Sequence, residues 1–126
     1  MYEIGVTAQF EAAHRLVGDF GPATRMHGHT YRLEVLVRGH ELDEHGVLYD
    51  VGRLRGSVDA LAASLHYRDL GEVAGLTNTN TTAEAVAGYG WETLAPDLHG
   101  RGLASLVVRV WESPQVWAAR EDPLRP

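Results

Sequence analysis

Two stretches of two-residue alternation limit what this chain can become. In residues 2–14, Ile4, Val6, Ala8, Phe10, Ala12 and His14 share one parity, and Glu3, Thr7, Gln9 and Glu11 take the other. A helix, with its 3.6-residue repeat, would scatter that apolar set around its circumference. A strand buried on one side collects it on a single face. Alternation resumes at His27: His27, His29, Tyr31, Leu33, Val35 and Val37 share one face, and Arg32, Glu34 and Arg38 take the other, with Leu36 the exception. Between the two runs, "GDFGPATRM" at 18–26 carries two glycines and a proline and reads as a loop.

The middle of the chain changes period. Beyond a polar turn, "RGHELDEHG", Asp50 is placed to cap a helix running to about residue 65, with Val51, Leu54, Val58, Leu61 and Leu65 on one face. Residues 66–80 read as a loop. "TTAE" at 81–84 has the form of a capping box, in which the Thr81 hydroxyl and the Glu84 carboxylate cap each other's backbone amides. The helix behind it buries Ala83, Ala87, Trp91, Leu94 and Leu98, and "PDLHGRG" closes it. A strand, "LASLVVRVWES", follows, and a shorter one, "QVWAAR", comes after the Ser113–Pro114 turn. The order ββααββ predicts a single α+β domain over 1–126 with antiparallel hairpins.

Absences narrow the chemistry. The chain has no cysteine, hence neither disulfide nor thiol nucleophile, and all 11 of its basic residues are arginine, which excludes a lysine Schiff base. A net charge of −6 argues against nucleic acid as a partner, because a phosphate backbone calls for a basic surface. No apolar run approaches a membrane span, and "MYEIGVTAQF" lacks the features of a signal peptide, so no membrane partner is expected and a cytoplasmic location is the default.

Seven histidines remain to be explained. His27 and His29, two apart on a strand, aim their rings at the same face, the apolar one. His14 falls on the apolar parity of its own strand. If the two strands pair, three imidazoles meet on one buried side. Three neutral imidazoles suit zinc and leave its fourth position open, as in catalytic sites. The competing reading is a set of hydrogen-bonded core histidines. His40, His45 and His99 lie in polar turns and read as surface residues. Glu112 continues the parity of Leu106, Val108 and Val110, where a carboxylate is costly unless paired. It either frays into water at the strand end or anchors a ligand bearing two adjacent N–H donors.

"FEAAHRL", "HGHTYRLEVLVRG", "GVLYDVGRLR", "TTAEAVAGYGWETL" and "VVRVWES", in that order over nearly the whole chain, resemble the 6-pyruvoyltetrahydropterin synthase / 6-carboxytetrahydropterin synthase family. The resemblance implies a tunnelling fold (T-fold): a four-stranded antiparallel sheet with two helices on one face, assembled through trimers, often stacked as hexamers, into an oligomeric barrel. It implies Zn2+ on His14, His27 and His29, with Glu112 holding the pyrimidine N–H groups of a pterin near the helix start at Thr82 and Glu84. It places the site between subunits of a homo-oligomer, so an isolated subunit would be inactive.

The chain departs from this family where protons move. A cysteine usually stands four residues before the first histidine of His-Gly-His, and Ala23 stands there instead. The family's Leu-Asp-His motif meets "LHYRDL": without a gap, His66 takes the Asp place and Tyr67 the His place, while a one-residue gap restores His66 to the His. His66 is then the candidate general base, Tyr67 a proton donor or acceptor, and Asp69 an orienting carboxylate; the alternative for all three is an ordinary polar loop. Arg25 is a candidate for a substrate phosphate or carboxylate, or a solvated loop residue. The function expected is a zinc-dependent lyase or synthase acting on a dihydropterin-type substrate with non-standard acid/base residues. Two alternatives stay open: a recruited biosynthetic enzyme performing aldol, elimination or cyclisation chemistry on a non-pterin carbonyl compound, and a non-catalytic pterin-binding protein.

Overall fold

The computed structural model describes residues 1–126. Its first hairpin joins β1 (Tyr2–His14) to β2 (His27–Gly39) in unbroken antiparallel register, from Tyr2 opposite Gly39 to His14 opposite His27. β3 (Ser105–Ser113) pairs with β2, and β4 (Val116–Pro123) with β3, so the four-stranded sheet runs β1-β2-β3-β4, antiparallel throughout. The predicted parity is realised: Val6, Phe10, Ala12, His14, Tyr31, Leu33, Val35 and Val37 are buried, whereas Glu3, Thr7, Gln9, Glu11 and Arg32 are exposed.

Two helices, α1 (Val51–Leu65) and α2 (Ala83–Leu98), cross from β2 to β3 and pack on the sheet, α1 against β1 and α2 against β3 and β4. Asp50 caps α1, accepting from the Arg53 N–H at 3.2 Å. Leu54, Val58 and Leu61 of α1 and Val86, Ala87, Trp91 and Leu94 of α2 join the sheet's inner residues in one core. The Trp91 indole N–H donates to the Leu106 carbonyl at 2.9 Å, pinning α2 over β3. Close approach at that crossing depends on Gly90, where a Cβ would lie 3.0 Å from a Val108 methyl and 3.3 Å from a Leu61 methyl.

The cap of α2 is displaced by one residue from its expected place. Thr82, not Thr81, is the N-cap, its hydroxyl accepting from the Ala85 N–H at 3.1 Å. Two consecutive threonines offer either register. Burial selects between them, because Thr81 is 4% exposed and turned toward His14. Glu84 sits in the first turn, where its charge suits the helix dipole.

The helix-free face of the sheet is polar. Arg109 pairs with Glu34 at 2.6 Å, Arg38 pairs with Glu3 and Glu121, and Arg32 stacks over Trp111 with its guanidinium carbon 4.4 Å from the ring centre. The loop after α1 folds along the open edge of β1. There the Tyr67 N–H reaches the Glu11 carbonyl at 2.6 Å, and the Ala13 N–H reaches the Arg68 carbonyl at 2.9 Å. No helix is long and apolar enough to cross a membrane.

Candidate metal and ligand site

The register of the first hairpin builds the histidine trio. His14 lies directly opposite His27, and Ala12 opposite His29, so all three imidazoles project from neighbouring positions on the helix-covered face. Ring centres are 4.6 Å apart for His14–His27, 4.9 Å for His27–His29 and 5.1 Å for His14–His29. One nitrogen from each ring falls within 4.8 Å of the others.

Two rings are oriented through Nδ1. His14 Nδ1 lies 2.6 Å from the Thr81 carbonyl, and His27 Nδ1 lies 2.7 Å from the Arg25 carbonyl. A carbonyl only accepts, so each Nδ1 carries the hydrogen and each Nε2 keeps a free lone pair. The same arrangement orients histidine ligands in metal proteins generally. His14 Nε2 and His29 Nε2 are buried without any hydrogen-bond partner. Buried polar atoms are rarely left so. Burial also lowers the pKa of His29, with the neighbouring His14 and His27 acting in the same direction and Glu112 opposing. Burial thus favours the neutral ring, the form a metal needs. Donor type, tautomer and orphaned nitrogens all fit a divalent metal such as zinc, and a hydrogen-bonded core trio does not account for them.

A third orphan sits alongside. Tyr31 is wholly buried, stacked on Phe10 with ring centres 4.8 Å apart, and its hydroxyl has no partner. Its ring centre lies 5.3 Å from that of His29, and burial raises its pKa.

Glu112 continues the inner parity of β3 and is partly buried. It lines a cleft of about 390 Å3 together with Thr82, Glu84, Leu16, Phe20 and Trp117. Three residues expected to bind substrate thus share one cavity, between the β3–β4 end and the start of α2. The carboxylate is close enough to His29 and Tyr31 to affect both pKa values, so cleft and trio adjoin. The aromatic walls, Phe20 and Trp117, carried no signal in the sequence beyond being aromatic residues in or beside turns. Both are about half exposed, at 47% and 48%.

The other candidates lie elsewhere. His66 and Tyr67 are exposed beyond the end of α1, their rings stacked at 3.8 Å. His66 Nδ1 accepts the Glu11 N–H at 3.0 Å, so the neutral ring presents Nε2–H outward as a hydrogen-bond donor. Asp69 accepts from the Gly71 N–H at 3.0 Å and starts a short 3-10 turn, Leu70–Glu72. The Gly71 amide, not His66, is thus its hydrogen-bond partner. Tyr67 and Asp69 line a second cleft, of about 470 Å3, which His29 borders from the other side. Arg25 is exposed, and its carbonyl, rather than its guanidinium, serves the trio. Ala23 lies in a 3-10 turn, Gly21–Thr24, and brings no proton-transferring group. His40 and His45 are exposed, as expected of turn residues, and His99 accepts from the Arg125 N–H at 3.0 Å.

Comparison with known proteins agrees with this architecture. A Pyrococcus horikoshii protein provisionally described as a 6-carboxy-5,6,7,8-tetrahydropterin synthase is 29% identical, over 95% of this chain and 90% of its own. The 6-carboxy-5,6,7,8-tetrahydropterin synthase of Synechocystis is 33% identical over 71% of this chain and 75% of its own. Among solved structures, Caenorhabditis elegans 6-pyruvoyl tetrahydropterin synthase superposes with a TM-score of 0.81 at 25% identity, covering 96% of this chain and 95% of that one. The Plasmodium falciparum 6-pyruvoyl tetrahydropterin synthase shares the fold at a TM-score of 0.80 and 18% identity, covering 98% of each chain. The four-stranded sheet with two helices on one face is the tunnelling fold. The profile of the 6-pyruvoyl tetrahydropterin synthase family matches residues 3–123, and this chain belongs to that family of enzymes.

Proposed function

We propose that the chain is a zinc-dependent lyase or synthase acting on a dihydropterin-type substrate. The observation that carries this reading is the adjacency of the trio, with two orphaned Nε2 atoms, to a cleft holding Glu112, Thr82 and Glu84. Family membership supports it, as do the pterin-directed activities named for its relatives.

In this reading His14, His27 and His29 hold the ion, which supplies Lewis-acid polarisation of a substrate oxygen. Glu112 accepts two adjacent ring N–H groups, a pairing that fixes the ring in plane and in one orientation. Phe20 and Trp117 flank it with apolar surface. Thr82 and Glu84 offer polar contacts at the start of α2. Arg25, exposed just before the trio, is available to an anionic substituent. Proton transfer falls to the segment after α1: His66 is the candidate general base, taking a proton at Nδ1 once the Glu11 N–H that occupies it is released. Tyr67 lies against it as an alternative donor. Asp69 holds the following turn, which keeps that segment on the edge of β1.

The open edge of β4 and the part of the β1 edge ahead of Glu11, beyond the reach of the loop after α1, are free to pair. We infer that subunits join there as a trimer or hexamer, so that the His66 segment of one serves the trio of another and an isolated subunit is inactive. Ala23 favours one alternative, a recruited enzyme acting on a non-pterin carbonyl compound, because no acid or base stands where the family usually has its cysteine. The test is metal depletion and zinc reconstitution followed by turnover of 7,8-dihydroneopterin triphosphate or its dephosphorylated form. Restored turnover, lost in His27→Ala, is expected. Zinc-independent turnover would sink the mechanism. For Glu112→Gln, calorimetry should read an affinity for the pterin weaker by about 10- to 100-fold with zinc content unchanged.

A further inference from the structure

His14 and His27 are oriented by main-chain carbonyls from two different segments. Thr81, ahead of α2, serves His14, and Arg25, in the β1–β2 loop, serves His27. Those segments are far apart in sequence, and one side chain joins them. Asn80 Oδ1 accepts the Val17 N–H at 2.9 Å, and its Nδ2 donates to the Val17 carbonyl at 3.0 Å. This two-point bond copies the pairing of one strand residue with another and admits only one orientation of the amide. Every other hydrogen bond of residues 16–26 stays within that loop or ends on His27.

We propose that Asn80 is a positioning residue of the metal centre. It clips the loop bearing the Arg25 carbonyl to the segment bearing the Thr81 carbonyl, and so fixes two ligand rings relative to each other. The inference rests on the trio being a zinc site. Asn80 touches neither the ion nor a ligand ring. The next residue, Thr81, does, and a shift of either carbonyl turns an imidazole off axis. Phe20, in the same clipped loop, lines the Glu112 cleft.

The experiment measures zinc affinity by chelator competition and the visible absorption of the cobalt-substituted protein, well below the melting temperature. Asn80→Ala should bind zinc about tenfold more weakly, as loss of ligand-orienting partners typically does, and its cobalt spectrum should change. V58A, a core truncation in α1, should lower the melting temperature and leave both readouts alone. This control separates a positioning role from general destabilisation. Asn80→Asp keeps the acceptor for the Val17 N–H but faces the Val17 carbonyl with a second oxygen. It should weaken zinc in the same direction, and it serves if the alanine variant does not fold. Wild-type zinc affinity and cobalt spectrum in the Asn80 variants, with binding abolished in H27A, overturn the inference and leave the zinc reading standing. Undiminished metal binding in H27A overturns both.

Discussion

The trio and the His66–Asp69 segment both carry histidine chemistry, and they are built in opposite ways. His14, His27 and His29 stand on paired strands, under two helices, with two of the rings locked by carbonyls. His66, Tyr67 and Asp69 follow the end of α1 in an irregular stretch, exposed or only partly covered, and attach to the rest through the edge of β1. Metal ligands must hold a fixed geometry, so rigid elements suit them. A group that passes protons needs access to its substrate, and a surface segment provides it. The difference teaches that, in this chain, the half suited to hold an ion is complete within one chain, whereas the half proposed to move protons faces outward.

The variant expected to do most is His27→Ala, which should abolish stoichiometric zinc binding and with it turnover, read by metal analysis and by product formation. His66→Ala should lower turnover by about 100-fold, the lower end for loss of a general acid or base, and leave zinc content at the wild-type level. Zinc loss in that variant would break the separation of the two regions, and unchanged turnover would remove His66 from the chemistry. A smaller effect is expected at Tyr67, whose φ of 57° lies in the left-handed region. Tyr67→Gly should raise stability by about 1 kcal/mol, through relief of a conformation costly to residues with a Cβ, measured by denaturant unfolding. A loss of stability would mean that stacking on His66 outweighs the strain.

The smallest effect lies outside both regions and calibrates them. Asp97 bonds to Arg53 at 2.7 Å, and that bond holds its pKa down at about 2. A depressed carboxylate pKa stabilises the fold above the ordinary value of 3.8, and the contribution drains away as pH falls toward 2. The pair is largely exposed, so solvent screening keeps its contribution small. Asp97→Asn should therefore flatten the acid limb of the stability profile between about pH 4 and 2, visible in thermal melts, and leave zinc affinity untouched.

Much of this was legible in the residues. Alternation predicted both long strands and their buried faces, because a two-residue period has one physical solution. The same parity put His14, His27, His29 and Glu112 on the inner side. Asp50 was readable as a cap. Thr81 and Thr82 were not separable, since either hydroxyl can cap a helix and only burial beside His14 decides. What stayed hidden was main-chain work: the Thr81 and Arg25 carbonyls that orient two rings of the trio, and the Glu11 N–H that occupies His66 Nδ1. Every residue owns those atoms, so no side-chain pattern announces them. The left-handed turn at Tyr67 was equally silent, tyrosine being an unusual residue there.

The direct opposition of His14 and His27 has a further consequence. If β1 slid by one residue against β2, its side chains would invert, sending His14 to the solvent face while His27 and His29 stayed inside. A slid hairpin keeps most of its backbone bonds yet cannot gather three imidazoles. If the trio takes up zinc as proposed, metal uptake would proofread strand pairing: only chains with the hairpin in frame would be trapped by the ion, and zinc content would count correctly registered molecules.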